Sequence, residues 1–253
     1  MNKGNMKLAG NGEIIEGEYQ EIKIMGNAIS RGEVKADKIQ IMGGAHFNGS
    51  IEVGECVIHG NAVIKGNIVA DRVKVNGNFN LKGDCRINEL TINGKTEVDG
   101  VFECNNVILR GDMFITKVCQ AKDLIIYGGV RAEADVLGEK ITIEGKANCK
   151  GLLSAEEIYL HACGDSYCKE IGATKLVVEK PFYHLFWLRF GKKNSLSCDL
   201  IEADEIKLEY TSAKTVRGKQ VQLVKECQVD TLEYSEQYIK GEACKIREVT
   251  KVD

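Results

Sequence analysis

Glycine recurs at every seventeenth position over nearly half of this chain, and that interval restricts the fold more than any other feature. Gly26, Gly43, Gly60, Gly77, Gly94, Gly111, Gly128 and Gly145 form the column, and Ala162 falls on the next step. Six residues later a second column holds Gly32, Gly49, Gly66, Gly83, Gly100 and Gly151, interrupted by Lys117 and Ala134. Two residues before the first column stand Ile24, Ile41, Ile58, Val75, Ile92, Leu109, Ile126, Ile143 and Leu160. Four before it stand Ile22, Ile39, Cys56, Val73, Leu90, Val107, Leu124, Ile141 and Ile158. The position between these two apolar columns is mixed, from Lys23 and Gln40 to Val57 and Lys74. A fixed interval of this size is the mark of a repeat architecture.

Alternation with period two is the pattern of a strand with one buried face. The same alternation predicts two more short strands in each repeat. One turns Ala62 and Ile64, Phe79 and Leu81, and Thr96 and Val98 inward; the other turns Val34 and Ala36, Ile68 and Ala70, and Phe102 and Cys104 inward. Corners then fall at the two glycine columns and at a polar step such as Asp71-Arg72 or Asn105-Asn106. The fold class this predicts is all-β: a single-stranded parallel β-helix, a triangular solenoid of 17-residue coils stacked ~4.8 Å apart. The alternative, glycines scattered by chance in a sandwich, does not account for so constant a spacing. A lone proline among 253 residues agrees, because proline removes a donor that every ladder in a solenoid needs.

The repeat predicts regular β-helix over 1–178, an aromatic insertion over 179–194 and an irregular β-helical segment over 195–253. Its first coil is one residue short, from Met6 to Ile22. Past Leu160 the stretch from His161 to Cys168 keeps its length but loses apolar residues, and Lys175-Leu176-Val177-Val178 is one residue out of step. Pro181 opens the insertion, whose apolar side chains Phe182, Tyr183, Leu185, Phe186, Trp187, Leu188 and Phe190 are the candidates for contact with a partner or for assembly. Nine residues are short for stable interfacial binding, so a plug folded over the damaged coil is the favoured reading. The inward spacing returns at Ile201, Ala203, Ile206 and Leu208, then at Val216, Gly218, Val221 and Leu223 on a coil of 15 residues, then at Leu232, Tyr234 and Val249.

The phrase Val34-Lys35-Ala36-Asp37-Lys38-Ile39-Gln40-Ile41-Met42-Gly43 is echoed by Val69-Ala70-Asp71-Arg72-Val73-Lys74-Val75-Asn76-Gly77, followed by Phe79-Asn80-Leu81-Lys82-Gly83. This grammar, over about residues 22–160, resembles the bactofilins, bacterial polymer-forming cytoskeletal proteins. The resemblance implies a right-handed triangular β-helix whose units join end to end without nucleotide. Bactofilin cores are usually shorter and carry flexible proline-containing tails, which this chain lacks.

Candidate chemistry is sparse. Of ten cysteines, Cys56, Cys85, Cys104, Cys119 and Cys149 replace aliphatic residues on inward columns and read as small buried hydrophobes. His161, Cys163 and Cys168 are the only soft-metal ligands close in sequence, with too few ligands and the wrong spacing for zinc. No P-loop, nucleophile elbow or dinucleotide fingerprint occurs. No catalytic residue, cofactor or metal is therefore expected, and the leading function is a non-enzymatic scaffold that self-associates end to end or as a small homo-oligomer. A solenoid's last coil supplies the motive, since it leaves edge groups and an apolar cross-section unpaired. If Asn2 to Asn5 and Lys245 to Asp253 cap those ends, the chain is instead a monomeric rigid rod that binds a partner. The competing enzyme class is the left-handed hexapeptide-type acyltransferase or carbonic anhydrase, which repeats every 18 residues and needs histidines that this sequence does not bring together. A net charge of −3 gives no reason to expect nucleic acid. The polar start Met1 to Lys7 has no apolar core of a signal peptide, so the expected location is the cytoplasm, with reduced thiols.

Overall fold

The computed structural model describes residues 4–162, 164–180 and 195–253. They form fourteen β-strands, with no helix among the described residues: β1 Gly4–Ile14, β2 Gly17–Ser30, β3 Val34–Phe47, β4 Ile51–Ile64, β5 Ile68–Leu81, β6 Cys85–Val98, β7 Phe102–Ile115, β8 Cys119–Ala132, β9 Val136–Ala162, β10 Asp165–Glu179, β11 Ser195–Glu209, β12 Thr211–Lys225, β13 Gln228–Glu242 and β14 Lys245–Lys251. Two compact units, Met1–Lys122 and Asp123–Asp253, divide inside β8.

In the first unit each strand pairs in parallel with the next in sequence. Val34 pairs with Ile51, Ile51 with Ile68, Ile68 with Cys85 and Cys85 with Phe102, a constant step of 17. Met6 pairs with Ile22 across the shorter first coil. The all-β parallel solenoid expected from the glycine columns is the fold observed. One detail differs: a coil is a single strand of 14 residues, as in β4, rather than three short ones. Successive coils bend at the same residues, so the ladder runs on through the bends, as at Gly43 opposite Gly60. At the polar step only one residue drops out of register, between Ala36–Val53 and Lys38–Glu55.

Burial locates the bends. In β4 the buried residues are Ile51, Val53, Cys56, Ile58, Ala62 and Ile64, and Ile68 begins the next coil. Their spacings are two, three, two, four, two and four: three inward pairs separated by three corners. Gly60 turns the corner before Ala62 with φ of 134°, and a Cβ there would overlap the carbonyl oxygen of Gly43 on the coil below. Glycine is required at this column both by dihedral angle and by close stacking. The core is a file of Ile, Val, Leu and Ala broadened by Phe47, Phe79 and Phe102, each 1% exposed or less.

The outer faces are laddered as well. Lys38 pairs with Glu55 at 2.8 Å, and Arg72 with Glu89 and Arg86 with Glu103 at 3.0 Å, each one coil apart. Asn61 Oδ1 accepts from Asn78 at 3.1 Å, and Asn88 Oδ1 from Asn105 at 2.7 Å. Where the strands break, Asn67 Oδ1 accepts from the Asp84 N–H and Asp84 Oδ1 from the Val101 N–H, both at 2.9 Å, so corner backbone groups stay satisfied. Exposed ion pairs of this kind contribute only about 0–1 kcal/mol each; their regularity chiefly favours one register over its slips.

The second unit keeps the plan and varies the corners. Leu153 pairs with Ile171, a step of 18, while Cys149 pairs with Cys168, a step of 19. The stretch expected to lose its apolar residues does not leave the core: Ser166 and Cys168 are buried, and Ser166 Oγ accepts from the Ala147 N–H at 3.2 Å. The extra residues are absorbed at a corner, which hydropathy cannot distinguish from a broken coil. Ile201 pairs with Val216, a step of 15. That coil is shorter because only three residues separate Cys198 from Ile201 and Leu208 from Thr211, where the first unit uses four. In the last coils positive φ falls on Tyr210 (48°), Glu226 (49°) and Ala243 (55°), whereas Gly128 and Gly145 still carry it near the start of this unit. β10 and β11 pair directly with each other on either side of residues 181–194.

Candidate functional site

The described interior is lined by aliphatic side chains and free thiols. Nine cysteines among the described residues are free and buried, including Cys56, Cys85, Cys104, Cys119 and Cys149 on the inward columns that the repeat assigns them. Burial pushes the Cys56 thiol up to about 12 and the Cys149 thiol up to about 11, where a thiolate nucleophile is not formed at neutral pH. Cys149, Cys168 and Cys198 lie in one register file on successive coils, screened from solvent. Among the described residues no group of three His, Cys, Asp or Glu side chains has the arrangement to hold a metal ion. Cys168 faces the core, while His161 lies in register with Glu179 at the far end of that coil; Cys163 lies outside the described residues.

Among the described residues the outer faces offer shallow grooves. In the first unit Leu8, Met25, Met42 and Val57 line one, and Met25 and Met42 are more than half exposed. In the second, Ser154, Glu170, Thr174 and Glu202 line another. The carboxylates with shifted titration go the wrong way for a general acid: Lys38 holds Glu55 below the usual carboxylate range, and Lys150 with Arg131 does the same for Glu133. His46 and His59 stand on separate outer ladders, His46 opposite Val63 and His59 opposite Asn76, whose amide lies 3.1 Å from His59 Nδ1. The aromatic candidates Phe182, Tyr183, Leu185, Phe186, Trp187, Leu188 and Phe190 lie outside the described residues.

The feature with the strongest capacity for recognition is the terminal coil of each unit. β1 pairs on one side only among the described residues, with β2, and leaves the backbone donors and acceptors of its other edge unpaired. Asn5 belongs to this strand, opposite Glu21, while Asn2 and Lys3 lie outside the described residues. At the other end β14 adds a last partial coil, so Lys245 to Lys251 extend the ladder. Val249 keeps its register opposite Leu232 but is 42% exposed, because nothing among the described residues packs beyond it.

Beside Tyr234, which the inward spacing includes, that carboxy-terminal edge carries Tyr238, Lys240 and Lys251, which the hydropathy pattern did not single out. Tyr238 continues the column of Val221, and Lys240 that of Leu223. Tyr234 continues the column of Gly218, and Lys251 follows it. The Tyr234 and Tyr238 rings lie 4.9 Å apart between centroids, both half-buried, across the mouth of the coil. Extending each inward column to its last member is the sequence signal that exposes this group.

Residues 24–116 match the family model described as Bactofilin, polymer-forming cytoskeletal. Two relatives from Bacillus subtilis (strain 168), the uncharacterized proteins YhbE and YhbF, are each 38% identical over 103 residues. That stretch is 40% of this chain in both cases, and 44% and 42% of the relatives, so the chain spans less than half the length of the curated relatives it matches. No solved structure matches. No helix among the described residues is long and apolar enough to cross a membrane.

Proposed function

We propose that this chain, which carries a bactofilin domain over residues 24–116, is a non-enzymatic cytoplasmic scaffold that associates with its own copies through coil ends and needs no nucleotide. The observation that carries this reading is the edge of β1: a strand of 11 residues whose ladder positions are filled on one side alone among the described residues. An unpaired edge over an apolar cross-section templates a further strand. The family description supplies the polymer-forming role. The absence of nucleotide chemistry rests on the sequence, which has no phosphate-binding loop.

Light scattering and negative-stain microscopy on the purified full chain, with and without nucleotide, test the proposal. Self-association that is unchanged by nucleotide is the expected result. A monomer at every concentration would sink it and leave the second reading, a rigid rod that binds a partner, which the tyrosines and lysines of the carboxy-terminal edge favour. On composition alone, Phe182 to Phe190 would then be the contact for a protein partner or a membrane surface. Micromolar affinity for acetyl-CoA would instead revive the acyltransferase reading.

A further inference from the structure

One outward column of the first unit, beside the glycine corners, carries donors of a single chemical kind. Its register partners are Ala9, Met25, Met42, His59, Asn76 and Asn93, one per coil. A lone exposed methionine needs no explanation. Here two of them, each more than half exposed, stand in file with an exposed imidazole. Gly26, Gly43 and Gly60 follow them in sequence, so no side chain crowds the next position. On the other side they border the groove lined by Leu8 and Val57.

We propose that Met25, Met42 and His59 bind one copper(I) ion through two thioether sulfurs and the His59 Nε2 atom, with Asn76 as the residue that positions the ring. Coils stack about 4.8 Å apart, so Met25 and His59 start about 9.6 Å from each other with Met42 between them. Methionine is unbranched and has three rotatable bonds, which lets both sulfurs swing toward the ring. His59 is held from its other side. Its Nδ1 lies 3.1 Å from the Asn76 side-chain amide, which accepts from Asn93 at 2.7 Å. A file of amides runs in either sense. When it runs outward from the ring, Nδ1–H donates to Asn76 and Nε2 keeps its lone pair for the metal, as a ligating imidazole requires.

Ligand softness selects the ion. Thioethers favour copper(I) and imidazole accepts it, whereas zinc takes thiolate, imidazole and carboxylate. Charge selects the same way. The three ligands are neutral, Lys7 and Lys23 also line the groove, and Glu21, 3.1 Å from Lys23, offsets that lysine. A monovalent ion meets half the repulsion that a divalent one would. The thioethers set this site apart from the thiols, imidazoles and carboxylates of the described residues, which form no metal-holding group by themselves. The site does not depend on self-association, since all three ligands belong to one copy.

Competition for copper(I) against the chromophoric chelator bicinchoninate, on the full chain without oxygen, tests the site. Reactive thiols are first blocked with N-ethylmaleimide so that they do not compete. The wild type is expected to take up one equivalent. Met25→Leu and Met42→Leu conserve side-chain volume and should each weaken uptake about tenfold or more, as should His59→Ala. Asn76→Leu should weaken it about tenfold by releasing the ring. Asn76→Asp separates positioning from packing: its carboxylate accepts from Nδ1–H, so uptake should match or exceed that of the wild type. A wild type that leaves all copper with the chelator would overturn the site. Uptake unchanged in Met25→Leu/Met42→Leu would overturn it too, because the ion would then sit on other ligands. Asn76→Asp binding no better than Asn76→Leu would overturn the role given to Asn76.

Discussion

Coils of the amino-terminal unit turn the corner before Ala45, Ala62 and Phe79 on Gly43, Gly60 and Gly77, whereas the last coils of the carboxy-terminal unit, past Gly128 and Gly145, turn it before Thr211, Cys227 and Cys244 on Tyr210, Glu226 and Ala243. The bend serves the same purpose in both, aiming the next inward pair at the core. The dihedral solutions differ. Glycine φ values of 131–138° at the first three corners lie outside any well open to a side chain, while 48–55° lies in the left-handed well that other residues enter at modest cost. The glycine corners from Gly26 to Gly111 keep coils identical at steps of 17; the second solution tolerates steps of 15, 16 and 17, as from Ile201 to Val216, Val216 to Leu232 and Leu232 to Val249. Regularity here is a property of the corners, since the inward pairs are two residues apart in both units.

The largest perturbation of that comparison removes core volume shared by identical coils. Phe79→Ala should cost about 3–5 kcal/mol, lowering hydrogen-exchange protection across β4, β5 and β6, because Phe79 is 1% exposed and stacks between Ala62 and Thr96. Gly60→Ala tests the corner itself. Its Cβ would strike the Gly43 carbonyl at a φ alanine does not adopt, so the expected loss is about 3 kcal/mol, read as a lower denaturation midpoint. The reverse exchange in the other unit, Ala243→Gly, should move the midpoint the opposite way.

Between these lies Thr96→Val. The Thr96 hydroxyl is buried without a hydrogen-bond partner, in the column of Phe79 and Met113. Replacing it with an isosteric methyl should raise stability by about 1 kcal/mol. The smallest effect is the relief of left-handed strain by Ala243→Gly, a gain of about 0.5–1 kcal/mol at a φ of 55°. Equal signs for Gly60→Ala and Ala243→Gly would mean that the two corners are governed by something other than dihedral angle. Hydrogen-exchange mass spectrometry reads each unit separately, which matters because repeat arrays need not unfold as one.

Much of this was legible in the residues. Ile24, Ile41 and Ile58 stand two before a glycine column, Ile22, Ile39 and Cys56 four before it, and these spacings alone assign the buried face, the corners and the parallel stacking. Such inference succeeds where every coil repeats the same local rule. It weakens where length changes, because Ser166 and Cys168 reach the core through two extra corner residues that hydropathy reads as damage. The aromatic candidates from Phe182 to Phe190 stand out by composition, whereas the described edges carry Met6, Leu8, Tyr238 and Lys240, which are unremarkable in sequence.

By itself the sequence determined the repeat, its alternation and the placement of the buried cysteines, since all of these follow from local periodicity imposed on a pleated strand. Only the tertiary structure decided that a coil is one bent strand, that Tyr210, Glu226 and Ala243 replace glycine at the corners of the last coils, and that Lys240 and Lys251 end two of the inward columns while Ile246 and Val249 end two others. Each of those depends on which residue of one coil lies over which residue of the next, and register between coils is a property of stacking that no single coil encodes.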